Sequence, residues 1–136
     1  MQSSTTSSER PRVLLVDDND AMLLRAAAVL SPDCVIVGAV KDGRAALAAA
    51  EALHPDIMVL DISMPGLNGF EVASSLRQAG STAAVVFLTV HEDEALVLAA
   101  RAVGGTGYVV KPRLASDLRH AVLEAVAGRP FVSPLH

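Results

Sequence analysis

Residues 57–66 read IMVLDISMPG. Four apolar side chains in a row show no polar/apolar alternation, so a strand built from them is buried on both faces. That is the signature of a parallel sheet covered by helices, because an antiparallel strand with one wet face alternates. The run stops at Asp61, and Pro65–Gly66 marks a turn immediately after it.

Working outward, the same pattern recurs. Strands are expected at Val13–Val16, Cys34–Val40, Ile57–Leu60, Val85–Leu88 and Thr106–Val110. Segments of helical period lie between them. Met22, Ala26, Val29 and Leu30 share one face of the first, and Leu96, Ala99, Ala100 and Val103 one face of the fourth. Leu114, Leu118, Ala121, Val122 and Ala125 form the apolar stripe of the last. The alanine-rich stretch Ala45–Leu53 has high helix propensity. Asn68 is placed to cap the third helix, with Glu71 three residues on as in a capping box. Gly128, Arg129 and Pro130 end the fifth. Strand and helix alternate five times, and right-handed crossovers leave few topologies. The expected fold is α/β: a doubly wound, five-stranded parallel sheet, flavodoxin-like (βα)5, in strand order 2-1-3-4-5.

Composition narrows the class. The chain has 136 residues, 51% hydrophobic but only 3% aromatic, so Ala, Val and Leu must fill the core of what reads as one domain. One cysteine, Cys34, excludes an internal disulfide and suits a reducing cytoplasm, which is the expected location. No apolar run approaches the ~20 residues of a membrane-spanning helix. The start, MQSSTTSSER, lacks the apolar core of a secretory signal. Residues 1–11 are expected to be a disordered tail, residues 12–128 the domain, and residues 129–136 a C-terminal tail or the start of a linker. The formal net charge of −4 argues against nucleic-acid binding by this chain alone.

The strand ends carry the chemistry. Asp17 and Asp18 follow the first strand, Asp61 the third, Thr89 the fourth, and Lys111 the fifth, with Pro112 next. In such a sheet the carboxyl ends share one edge, where ligands bind. Three carboxylates brought together cannot all ionise cheaply, and a hard divalent cation, Mg2+, relieves them. A hydroxyl and an ammonium at the same edge suit a phosphoryl group. Asp61, on the central strand, is the expected nucleophile, giving a labile acyl phosphate. Other motifs are missing. Gly104, Gly105 and Gly107 fit no nucleotide-binding fingerprint. His54, His91, His120 and His136 have no metal-ligand spacing. His91 is read as a surface-loop histidine, with the pocket rim as the alternative.

These residues resemble a known family. Leu14–Asp18 (LLVDD), Met58–Gly66 (MVLDISMPG), Phe87–Thr89 (FLT) and Gly107–Pro112 (GYVVKP) are similar to the signatures of the response-regulator receiver domain of two-component signalling. The stretch His91–Val122, with HEDE, GGTGYVVK and DLRHAV, is most similar to the NarL/FixJ (LuxR-type) class, and GRPFVSP at Gly128–Pro134 resembles the end of its receivers. The resemblance implies that Asp61 accepts a phosphoryl group from a sensor histidine kinase. It implies that Asp18 binds Mg2+ directly, Asp17 through water, and that Asp61 and the backbone carbonyl of Ser63 complete the ligands. Thr89, the amide of Val90, and Lys111 would hold the phosphoryl oxygens. Tyr108 would be the switch aromatic, turning inward on phosphorylation as Thr89 moves, and reshaping the surface of helix 4, strand 5 and helix 5. Lys111 would then serve the phosphorylated state more than the fold, and the bulk of Val90 would narrow access to the pocket. Such regulators usually act on transcription through a C-terminal helix-turn-helix. Residues 129–136 are too few for one, so DNA contact is expected only through a domain absent from this chain. Homodimerisation is a further expectation. The alternatives are a stand-alone receiver acting on a protein partner, a degenerate receiver, and a phosphatase resembling the haloacid dehalogenases. Asp18-Asn19-Asp20 nearly reads as the last family's motif, but Met22 breaks it and no acidic pair follows Lys111.

Overall fold

The computed structural model describes residues 10–135. Strand and helix alternate as β1 (Arg12–Val16), α1 (Asp20–Leu30), β2 (Val35–Val40), α2 (Gly43–Leu53), β3 (Ile57–Leu60), α3 (Gly69–Gln78), β4 (Ala84–Thr89), α4 (Glu94–Ala102), β5 (Gly107–Val110), α5 (Leu114–Val126) and β6 (Phe131–Val132). The sheet runs β2-β1-β3-β4-β5-β6, and every neighbouring pair is parallel. The five expected strands and their order are all present.

The lack of alternation in the strands has the expected cause. Leu14, Val16, Met58 and Leu60 pack on one side of the sheet with Ala46 and Ala50 of α2 and Val72, Ala73 and Leu76 of α3. Val13, Leu15, Ile57 and Val59 pack on the other, with Ala26 and Leu30 of α1 and Leu114, Leu118, Ala121 and Val122 of α5. Two cores sandwich one sheet, so the interior strand positions are apolar on both faces. With so few aromatics, small alanines let the helices approach closely; Phe70 and Phe87 meet edge to face at 5.3 Å.

Side-chain caps fix the helix starts above the carboxyl edge. Asn19 accepts from the Met22 amide and Asp42 from the Ala45 amide. Asn68 and Glu71 form the reciprocal capping box read from the sequence. Helix α4 is the least embedded, with only Ala100 buried and Leu98 67% exposed.

Ordered chain reaches into the inner edge of each expected tail. Residues 1–9 and 136 lie outside the described residues, but Pro11 accepts a hydrogen bond from the Val35 amide, so the chain is already tied to β2 there. At the other end Phe131 and Val132 add a sixth strand against β5. Two residues are too short a run to show a period, and pairing alone makes them a strand. Among the described residues no helix is long and apolar enough to cross a membrane.

Candidate functional site

Register brings the acids level. Val16 of β1 pairs with Leu60 of β3, and the Asp61 amide donates to the Val16 carbonyl, so Asp17 and Asp61 leave adjacent strands side by side. Carboxylate oxygens of Asp17, Asp18 and Asp61 lie within 4.8 Å of one another. Asp18 is exposed, while Asp17 and Asp61 are each 4% exposed. Gly69 sets the β3–α3 loop over this cluster. Its amide donates to the Ile62 carbonyl at 2.8 Å, and a Cβ there would collide with the Asp61 carbonyl. Only glycine lets α3 start so close to the acid.

Lys111 reaches in from the end of β5. Its Nζ lies 2.9 Å from Asp17 Oδ2 and 3.4 Å from Asp61 Oδ2, with the side chain 13% exposed. Burial opposes the ammonium, but the two carboxylates outweigh it and hold its pKa above the usual lysine value. For Asp61 burial dominates, Asp17 adds to it, and Lys111 offsets only part, so its pKa is raised. Asp17 Oδ1 accepts from the Asn19 amide at 2.9 Å. Oδ2 of Asp17, fully buried, pairs with the Lys111 charge but has no well-aligned hydrogen-bond donor. One ammonium cannot satisfy three carboxylates. A buried oxygen short of a donor, in a set of hard oxygen ligands, fits a divalent cation.

Of the remaining predicted residues, Thr89 pairs in the sheet with Val110, the residue before Lys111. Thr89 ends β4, is fully buried, and its Oγ1 accepts from the His91 amide at 3.3 Å. The Ser63 amide donates to Asp61 Oδ1 at 3.3 Å. Val90 is 61% exposed, so its side chain stands in solvent. Tyr108 is already inside. Only 2% exposed, it packs in the α2–α3 core and donates its hydroxyl to the His91 carbonyl at 2.9 Å. Burial, with Asp93 nearby, pushes its phenol up to about 12. The inward turn expected on phosphorylation is therefore the starting state in this structure, because the ring fills core space and its hydroxyl is satisfied.

His91 belongs to the rim rather than to an open loop. Besides carrying the Tyr108 hydroxyl, its Nε2 lies 2.8 Å from Ser63 Oγ. It thus links the β3–α3 loop to β4 and β5. The only sequence signal was its position two residues past Thr89.

Comparison with known proteins agrees with this geometry. The family model described as the response regulator receiver domain matches residues 13–123. The nitrate/nitrite response regulator protein NarL of Escherichia coli (strain K12) is 32% identical over 130 residues, covering 93% of this chain and 60% of that protein. The positive alginate biosynthesis regulatory protein of Pseudomonas aeruginosa is 39% identical over 116 residues, covering 83% of this chain and 46% of its own length. Among solved structures, the signal receiver domain of the putative response regulator NarL from Mycobacterium tuberculosis superposes with a TM-score of 0.85 at 32% identity, covering 89% of this chain and 99% of that one. Fold and sequence agree, and the chain belongs to the response regulator receiver domain family, in its NarL/LuxR-type branch. It is a signalling domain rather than an enzyme in the ordinary sense. It spans about three-fifths of the length of NarL-type relatives (60% and 62%).

Proposed function

We propose that this domain takes a phosphoryl group onto Asp61 from a phosphohistidine of a sensor histidine kinase and releases it by its own slow hydrolysis. The observation carrying this reading is the placement of the Lys111 ammonium between Asp17 and Asp61, beside a third carboxylate. An Asp61 oxygen attacks phosphorus, the O–P bond forms, and the P–N bond to the donor imidazole breaks. The acceptor needs neutralised surroundings, since an anion approaches three anions. Lys111 pairs with one phosphoryl oxygen. The Thr89 hydroxyl and the Val90 amide donate to another, and the Ser63 amide keeps the Asp61 carboxylate oriented.

Asp18, Asp61 and the Ser63 carbonyl would hold Mg2+ directly, with Asp17 through water. When bound, the ion supplies charge neutralisation for the incoming phosphoryl group. To donate to the phosphoryl group the Thr89 hydroxyl would shift toward Asp61, stretching the long bond it accepts from the His91 amide, and the His91 carbonyl in turn accepts from Tyr108. Phosphorylation thereby biases the packing of Tyr108 and the exposed α4 face, as a shift between two populated arrangements. As the resemblance to NarL/FixJ-type regulators implies, the proposed output is transcription, exerted through a DNA-binding region other than this domain.

Incubation with acetyl phosphate and Mg2+ tests the reading. Intact-mass analysis should show one added phosphoryl group, removed by hydroxylamine and missing in Asp61→Asn. Undiminished incorporation in that variant would move the acceptor elsewhere.

A further inference from the structure

One buried charge has no part in the phosphoryl chemistry. Asp117, in the first turn of α5, is 6% exposed. It borders the apolar stripe of that helix, three residues after Leu114 and four before Ala121. A helix start favours an acid there, but an exposed one would serve as well. Burying a carboxylate costs several hydrogen bonds' worth of compensation. Asp117 has four: Arg113 Nε at 2.7 Å, Arg113 Nη2 at 3.4 Å, Ser116 Oγ at 3.1 Å and Ser133 Oγ at 2.8 Å.

The partners share one location. Arg113 is the last residue of the 3-10 turn Lys111–Arg113. Ser133, 1% exposed, follows β6; its amide donates to the Tyr108 carbonyl at 2.8 Å, and its Oγ accepts from the Val110 amide at 3.3 Å. In a parallel ladder the next rung would take Val110's hydrogen bond to the Ser133 carbonyl. The hydroxyl accepts it instead and donates its own hydrogen bond to Asp117. Val110 immediately precedes Lys111. One carboxylate therefore grips both ends of the turn that carries the lysine: directly at Arg113, and through Ser133 at Val110.

We infer that Asp117 and Ser133 form a positioning pair for Lys111, setting how far its ammonium extends between Asp17 and Asp61 and tying that reach to the chain segment after α5. The role rests on the proposed function of Lys111, and neither residue touches the phosphoryl group. A purely structural fastener would hold β6 in place with no special dependence on Lys111.

A double-mutant cycle separates the two, because coupling appears only between residues that act through each other. Ser133→Ala is made alone and in a Lys111→Ala background, and two quantities are read: the initial rate of phosphoryl uptake from acetyl phosphate with Mg2+, and the urea midpoint without Mg2+. Positioning predicts that Ser133→Ala slows uptake about fivefold, the effect of one lost hydrogen bond. The same change should alter the rate by less than about twofold once Lys111 is gone. Ser133→Thr, which keeps the hydroxyl, should hold the wild-type rate. In the urea series, Ser133→Ala should lower the midpoint more with Lys111 present than without it. Equal effects in both backgrounds, on rate and midpoint alike, would overturn the inference. If the unmodified protein takes up no phosphoryl group, the proposed function fails by itself, and the urea cycle still decides the positioning pair.

Discussion

Asp61 is held in an unfavourable ionic state until something positive joins it. Its folded pKa is raised by burial and by Asp17, and Lys111 makes good only part of the cost. A carboxylate with a raised folded pKa binds its proton more tightly folded than unfolded. Its contribution to stability therefore falls as pH rises from the unfolded value of 3.8 through the folded one, and at neutral pH its charge weakens the fold. Asp61→Asn should accordingly melt a few degrees higher than wild type at pH 7 without Mg2+, and adding Mg2+ should narrow the gap. A lower melting temperature for the variant would mean that the charge is already compensated. Lys111 shows the opposite balance, and its surroundings give it a part in the fold beside the one expected from sequence. Read as a strand-end lysine, its charge serves mainly the phosphorylated state. The structure buries it against two carboxylates, so Lys111→Ala strands both. Denaturation without Mg2+ should show a loss of about 3 kcal/mol, the scale of breaking a buried ion pair. Saturating Mg2+ should recover part of it, and an unchanged midpoint would place the ammonium outside the cluster.

Among the elements, the segments after β1, β3, β4 and β5 carry the proposed function, and they differ in how much the sequence revealed. The strand ends were legible because fully buried strands are continuous apolar runs, and the first polar residue marks where each run leaves the sheet. The start of α3 was legible from Asn68 and Glu71, which form the capping box. The role of Gly69 was not, since its constraint is the Asp61 carbonyl eight residues back in the chain. Gly69→Ala should force α3 away from that carbonyl, costing about 2 kcal/mol as overpacking does, and should slow phosphoryl uptake as well. Normal stability together with normal uptake would show that the loop has slack. The sixth strand was equally hidden. Phe131 and Val132 carry no period of their own, and their extended pairing depends on the open edge of β5 and on Ser133. Asp117 did leave a trace, as a carboxylate spaced into an apolar stripe. That pattern calls for donors without saying which.

At the scale of the whole molecule, one parallel sheet gathers residues from most of the chain at a single edge. Residues 17, 18, 61 and 111 meet because parallel strands all end on the same side. The convergence could be read from topology, whereas the buried position of Tyr108 and the bridge from His91 to Ser63 could not, being set by how loops pack. The weakly embedded α4, lying beside Tyr108 and Thr89, is the part best able to change its packing when the edge gains charge. All of this depends on where the phosphoryl group becomes attached. Borohydride reduces an aspartyl phosphate to homoserine, so protein treated with acetyl phosphate and Mg2+, then reduced and digested, can be mapped by peptide mass. Reduction confined to position 61 and abolished by removal of Mg2+ is the predicted result. Reduction at Asp17 or Asp18, or at Asp61 regardless of Mg2+, would contradict the assignment.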